Sequence, residues 1–464
     1  MLTMHEGIRS QIEDALRNTG TDYVEVRVEE AESSHVRFRG SDLEEIGRSS
    51  GMGGSVRALA GGGWGFISFN DLDGLRDKVK LAVQQARIVG GEPVVMAPVP
   101  PVIDVVPPRV GSRNPAEVPL ARKKAVLEQY ARIMQGVEGV QSSSVNYGDG
   151  RRRVIFASSE GSYIDQERLD VSMRLSAMAR NGGEVQQAGE SLGSLGDFGF
   201  VESLHEQARE VAEKAVLLLK APQVKGGEYT VILDPILAGV FIHEAFGHLS
   251  EADHIYAEPR LQELMVLGRK FGGPHLNVVD GAAVPALRGS FNYDDEGVAG
   301  TRTDLIREGV LVGRLHSRET AGKLGERPTG NARAISYRFP PIVRMTNTFI
   351  VPATNEPRDL FDGVKEGVYV KNWYGGMTSM EMFTFSAGEA HMIRDGKVAE
   401  LCRPVMLSGN LFTTLHNLDM VANDLDMNQG GGCGKNGQSP MPVSNGSPHI
   451  RIRKTLIGGG AHAG

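Results

Sequence analysis

His243, Glu244 and His248, in the run His-Glu-Ala-Phe-Gly-His, put two imidazoles and a carboxylate within six residues. Neutral imidazoles bind a borderline metal such as zinc, the metal acidifies a water, and a carboxylate beside the first ligand can take that water's proton. They are the raw material of a zinc hydrolase. The bland alternative is a core helix whose histidines satisfy local hydrogen bonds, since short patterns recur by accident.

The second histidine comes five positions after the first, where the familiar His-Glu-x-x-His pattern has four. On a regular α-helix five steps of about 100° leave the side chains roughly 140° apart, whereas four bring them within about 40°. One ion could not touch both without a distortion. A single-turn π-bulge absorbs one residue and recurs at functional sites; a helix that gives way at Gly247 is the other remedy. The bulge is the expected solution, and an unbroken α-helix through residues 240–250 would exclude a shared ion. Asp234-Pro235 reads as an N-cap and first-turn proline, and Ile236, Leu237, Val240, Phe241, Ala245 and Leu249 recur at helical steps. Tyr229 to Leu233 reads as a buried strand leading into that helix.

Two histidines leave a tetrahedral site one protein ligand short if water keeps the fourth position. His254 follows His248 by six residues, the offset of the third metzincin histidine, but Glu251 stands where that pattern needs glycine. Glu251 and Asp253 could each supply an oxygen. Far along the chain, Cys433 in Gly-Gly-Gly-Cys-Gly-Lys-Asn-Gly-Gln could supply a thiolate, with glycines that let the backbone come close.

Beyond the histidine run, the chain carries Asp294-Asp295-Glu296-Gly297, Pro328-Thr329-Gly330-Asn331, Arg344-Met345-Thr346-Asn347-Thr348 and Cys433-Gly434-Lys435-Asn436-Gly437-Gln438. With these it resembles the TldD/PmbA family of metallopeptidases, in its catalytic TldD-like branch, through most of its length. The resemblance implies that His243, His248 and Cys433 hold one zinc ion and that Glu244 is the general base. It also implies a two-part α+β fold, a cytoplasmic setting, and the trimming of unfolded segments or leader peptides. The implied assembly is a dimer, with a PmbA-like companion or with itself.

Composition fits a protein of this kind without selecting it. The 464 residues exceed one ordinary core, so two or more domains are expected. Hydrophobic residues at 40% and charged residues at 23% describe a globular chain. A net charge of −7, with no basic cluster or zinc finger, argues against nucleic acid as a partner. No apolar run approaches the roughly 18 residues that span a bilayer, and no secretory signal is visible, so no membrane partner is expected. Cys402 and Cys433 cannot make a disulfide framework, and a reduced Cys433 suits the cytosol. Cys402 reads as an inert packed thiol.

The organisation expected is an N-terminal α+β domain over 1–223 and a C-terminal, largely antiparallel β domain over 224–464 that carries the metal-binding helix. The first divides into sub-units of about 1–92 and 109–223, with strands and helices occurring in both, a hint of duplication. Residues 5–18 and about 71–89 read as helices, and alternating segments between 23 and 69 as strands. The glycines at 51–54 and 61–63 read as tight turns, not phosphate loops. The proline- and valine-rich stretch 93–108 reads as an extended connection. Helices at about 115–135 and 200–220 bracket a strand series near 140–185. In the second domain Arg307-Glu-Gly-Val and Arg394-Asp-Gly-Lys read as hairpins, and Cys433 is expected on a loop from the last strands.

For mechanism these features favour metal-assisted amide hydrolysis, with Tyr374, His316, His391 and Arg344 as candidate oxyanion donors. Open strand edges would bind an extended or unfolded peptide by β-addition. The competing reading is a non-catalytic peptide-binding or assembly subunit.

Overall fold

The computed structural model describes residues 2–379 and 381–459. In the first half, the alternating residues of β1 (Tyr23–Arg39) bury Val24, Val26 and Val28 on one face and Glu25, Arg27 and Glu29 on the other. Both faces are covered, so the alternation separates an apolar core from a buried polar interface. β1 pairs with β2 (Asp42–Ala60), which turns into β3 (Gly63–Phe69), and on its other side with β5 (Val140–Ser158). β5 continues the antiparallel meander into β6 (Tyr163–Asn181) and β7 (Glu184–Ser194). The short β4 (Ile103–Val106), within the extended connection, joins β6 in parallel. One seven-stranded sheet results.

Helices cover the apolar face in two groups. Beneath β1 to β3 lie α1 (Leu2–Ala15), through Ile8 and Ile12, and α2 (Leu75–Val89), through Leu75, Val79, Ala82, Val83 and Ala86. Beneath β5 to β7 lie α3 (Leu120–Gln135) and α4 (His205–Lys220), around Leu127, Tyr130, Ala208 and Ala212. One glycine reading is corrected. Gly61 and Gly62, at φ 59° and 79°, do make the turn between β2 and β3, but 51–54 lie inside β2. There Gly53 and Gly54 sit against the rings of Tyr337 and Phe69, where a Cβ would overlap them.

The second half is built on a closed ring of strands. β8 (Gly227–Leu233) lies between Glu366–Ser379, its one parallel neighbour, and Ile450–Gly459. The order continues through Val405–Asn410 to Met382–Arg394, which pairs back onto Glu366–Ser379. At Asp395 and Gly396, φ is 47° and 76°, the doubly left-handed turn that an Asp-Gly hairpin requires. The ring encloses Val231, Leu233, Phe383, Phe385 and Leu407 together with the inner face of the helix that follows β8. A second six-stranded sheet, including Val278–Gly281 and Asn347–Ile350, lies beside that helix.

The two halves meet over the polar face of β1 and β5. Asp295 faces Arg27 at 3.5 Å and Arg152 at 3.7 Å, and Glu296 bonds Arg57. The molecule is α+β as expected, and among the described residues no helix is long and apolar enough to cross a membrane.

Candidate metal centre

α5 (Pro235–Ile242) starts where the cap signal puts it: the Asp234 carboxylate accepts the Leu237 N–H at 2.8 Å, and Pro235 occupies the first turn. Leu237, Val240, Phe241 and Ile242 are buried, so the helix is anchored before the motif begins. Residues His243–Gly247 then form one π-turn, in which the His248 N–H bonds the His243 carbonyl five residues back. That is the bulge expected from the spacing. It brings the imidazoles of His243 and His248 to 5.4 Å between ring centres, at 79° to each other. The backbone stays helical through Gly247, at φ −57° and ψ −50°. Glycine is needed there for space, because a Cβ would run into the Met345 sulfur.

Cys433 arrives from 185 residues further on, with Sγ 3.4 Å from His248 Nε2. It sits on the strand Gly432–Lys435 of a two-stranded hairpin with Gln438–Pro442, not on a loop. The turn is Asn436-Gly437, at φ 49° and 76°, a hairpin signal missed in the sequence. One ligand atom from each of His243, His248 and Cys433 lies within 4.8 Å of the others. Glu244, half-buried, turns its carboxylate to 3.9 Å from His248 Nε2.

Electrostatics prepare these donors. Burial opposes ionisation of Cys433, yet the adjacent His243 and His248 bring its thiol down to about 4, so the sulfur is a thiolate, the ligand-competent form. Glu251 is fully buried and accepts from His248 Nδ1 at 3.0 Å. Burial again opposes its charge, but His248 and Lys435 hold its carboxyl down to about 2. An ionised carboxylate only accepts, so Nδ1 donates to it, and Nε2 is the ring nitrogen turned toward Cys433. This carboxylate–histidine pairing is the outer shell usual for metal-binding histidines. His243 Nδ1 is buried with no hydrogen-bond partner. Two imidazoles, a thiolate and an orphaned ring nitrogen fit a zinc-like ion.

The alternative ligands have a lysine among them. Glu251, Asp253 and His254 do cluster, but Lys435 Nζ lies 3.0 Å from Glu251 and 2.7 Å from Asp253, putting a fixed cation where an ion would sit. Lys435 was not singled out in the sequence; its position two residues after Cys433 was the available signal.

Family models for the PmbA/TldA metallopeptidases match as domain 1 over residues 24–86, as the central domain over 113–219 and as the C-terminal domain over 226–459. The chain belongs to this PmbA/TldD family. Within it, a metalloprotease of Synechocystis is 46% identical over 441 residues, 95% of either chain. A zinc metalloprotease TldD homolog of Saccharolobus solfataricus is 31% identical, over 95% of this chain and 97% of its own length. The crystal structure of TldE from Thermococcus kodakarensis shares the fold at a TM-score of 0.74 and 17% identity, covering 97% of this chain and 100% of that one.

The other polar residues of the family-like segments have structural partners. His316 is buried between Thr320 and Glu326, and His391 bonds Glu389 at 2.7 Å. Tyr374 donates to the Gln187 carbonyl across the two halves, and Arg344 donates to the Gln438 carbonyl. Cys402 is a buried free thiol, raised by burial, as its reading as inert implied.

Proposed function

We propose that this chain is a zinc-dependent peptidase that cuts extended segments of unfolded or leader peptides, with His243, His248 and Cys433 as the metal ligands. The observation that carries the reading is the convergence of a thiolate from the C-terminal hairpin on two imidazoles that a π-turn brings together. The chemistry a bound zinc ion supplies is acidification of a water and polarisation of the scissile carbonyl. Glu244 accepts the water's proton and returns it to the leaving nitrogen, a role supported by its carboxylate edge 3.9 Å from a ligand nitrogen. Glu251 fixes the His248 ring, and Lys435 holds Glu251 in turn.

Substrate binding through the main chain is supported by the outer edge of Gly432–Lys435, which pairs with no second strand among the described residues. An extended peptide can add there, a mode that selects unfolded over folded segments. A cavity of about 450 Å³ beside this edge, walled by Gln187, Trp373 and Gly430, gives room for its side chains. The Glu244→Gln variant tests the reading: it should keep its zinc and lose hydrolysis of an unstructured peptide by at least a hundredfold, in line with loss of a general base. Full activity in that variant removes the assignment.

A further inference from the structure

A second cavity, of about 310 Å³, lies between the polar face of β1, β5 and β6 and the hairpin that carries Cys433. Each carboxylate on its wall is engaged. Asp170 takes two bonds from Arg288, at 2.6 and 2.9 Å; Glu29 takes one from Arg152 at 2.8 Å; and Glu32 lies 3.6 Å from Arg151. Asp295 faces Arg27 and Arg152, while Asp294 accepts the backbone N–H groups of Glu296, Val298 and Ala332.

Two arginines on the same wall are left over. Arg333, only 4% exposed, gives Nη1 and Nη2 to the carbonyls of Met345 and Pro442, at 2.6 and 2.7 Å. Arg168 gives Nη2 to the Arg288 carbonyl at 2.8 Å. Among the described residues neither guanidinium has a carboxylate within 4.0 Å, and the two flank the ring of Phe291 at 5.3 and 5.6 Å. Behind them Arg344 is wholly buried, with Nε and Nη2 unpartnered. Burial, Arg168 and Arg344 together pull the Arg333 guanidinium down to about 9. Asp170, Asp280 and Asp295 act on this pair only from beyond ion-pair distance, and a planar carboxylate is the partner a guanidinium matches best.

The cavity adjoins the metal centre. Met441, on its wall, is the strand partner of Cys433, and Met345, whose carbonyl Arg333 holds, packs against Gly247 of the π-turn. Phe291, Ile335, Pro440 and Met441 make the rest of its lining partly apolar, which suits an amino-acid residue better than a bare ion. We infer that this cavity is a carboxylate subsite for the substrate peptide, with Arg168 and Arg333 as its recognition groups. The inference rests on the peptidase reading above. The carboxylate belongs to the peptide's C-terminus or to an acidic side chain, and the same two groups would hold either.

Three matched peptides test it on the full chain: a neutral one with a C-terminal amide, the same sequence as a free acid, and the amide with Glu replacing Gln at successive positions. The expected result is that one acidic form exceeds the neutral amide by roughly tenfold or more in kcat/KM, the gain of a charge-assisted hydrogen bond. Which acidic form gains names the source. Arg168→Gln should abolish that ratio, and Arg168→Lys should restore part of it. Calorimetric binding of the same peptides to Glu244→Gln repeats the comparison without turnover, so it remains readable if hydrolysis fails. Equal turnover of all three overturns the subsite while leaving the peptidase standing. Equal binding of the neutral amide and of both acidic forms, or no binding of either acidic form, overturns it in either case.

Discussion

Cys433 Sγ lies 3.4 Å from His248 Nε2, across 185 residues of sequence. The contact joins the C-terminal hairpin to the first helix of its half of the molecule, so under the proposed ligand set metal binding and the docking of that hairpin would be one equilibrium. Cys433→Ser should therefore release the metal and raise amide exchange over residues 432–442, while Cys402→Ser should do neither. Elemental analysis with hydrogen exchange checks both. Equal metal retention in the two variants would reopen the search for the third ligand.

Glu251 accepts from His248 Nδ1 and lies 3.0 Å from Lys435 Nζ. Glu251→Gln should lower metal affinity about 10- to 100-fold without removing a ligand, the usual effect of losing an outer-shell partner. Competition against a chelator measures this, and an unchanged affinity would deny Glu251 its orienting role.

Gly247 is held by space, since a Cβ there would overlap the Met345 sulfur. Gly247→Ala should cost about 1–3 kcal/mol and weaken metal binding, because the π-turn must shift to relieve the clash. Adding Met345→Ala should restore metal binding, although it leaves its own cavity cost. Denaturation midpoints and metal content of the single and double variants separate the two effects.

Glu389 joins the strand ring to α4 through Lys214 and also bonds His391. Burial opposes its charge, but His391, Lys214 and Lys371 hold its carboxyl down to about 2. A depressed carboxyl stabilises the fold fully above the unfolded value of about 4, and that stabilisation is lost as pH falls toward 2. Glu389→Gln should thus lower the denaturation midpoint at pH 7 by an amount worth about 2 kcal/mol, with the gap from wild type narrowing below about pH 4 and closing as pH falls through about 2. A gap independent of pH would mean that Glu389 acts by packing alone.

What could be read in advance was local. Asp234-Pro235 and the recurrence of Leu237, Val240 and Phe241 placed α5, and five-residue histidine spacing implied the π-turn, because both depend on neighbours in sequence. Cys433 came from the resemblance; spacing alone left Glu251, Asp253 and His254 open. The ring of strands was out of reach, since it closes only through the register of Glu366–Ser379 against β8 on one side and Met382–Arg394 on the other. Lys435 was hidden for the same reason: its meaning comes from Glu251 and Asp253, which folding brings from the far side of the domain. The glycines at 51–54 misled because a glycine that admits a neighbouring ring looks the same in sequence as one that makes a turn.

X-ray absorption at the zinc edge, on purified protein, tests the joint ligand set most directly. The expected spectrum has one sulfur at about 2.3 Å and two imidazole nitrogens at about 2.0 Å, from one ion per chain. A shell without sulfur, or protein that binds no zinc when it is supplied, would contradict the account.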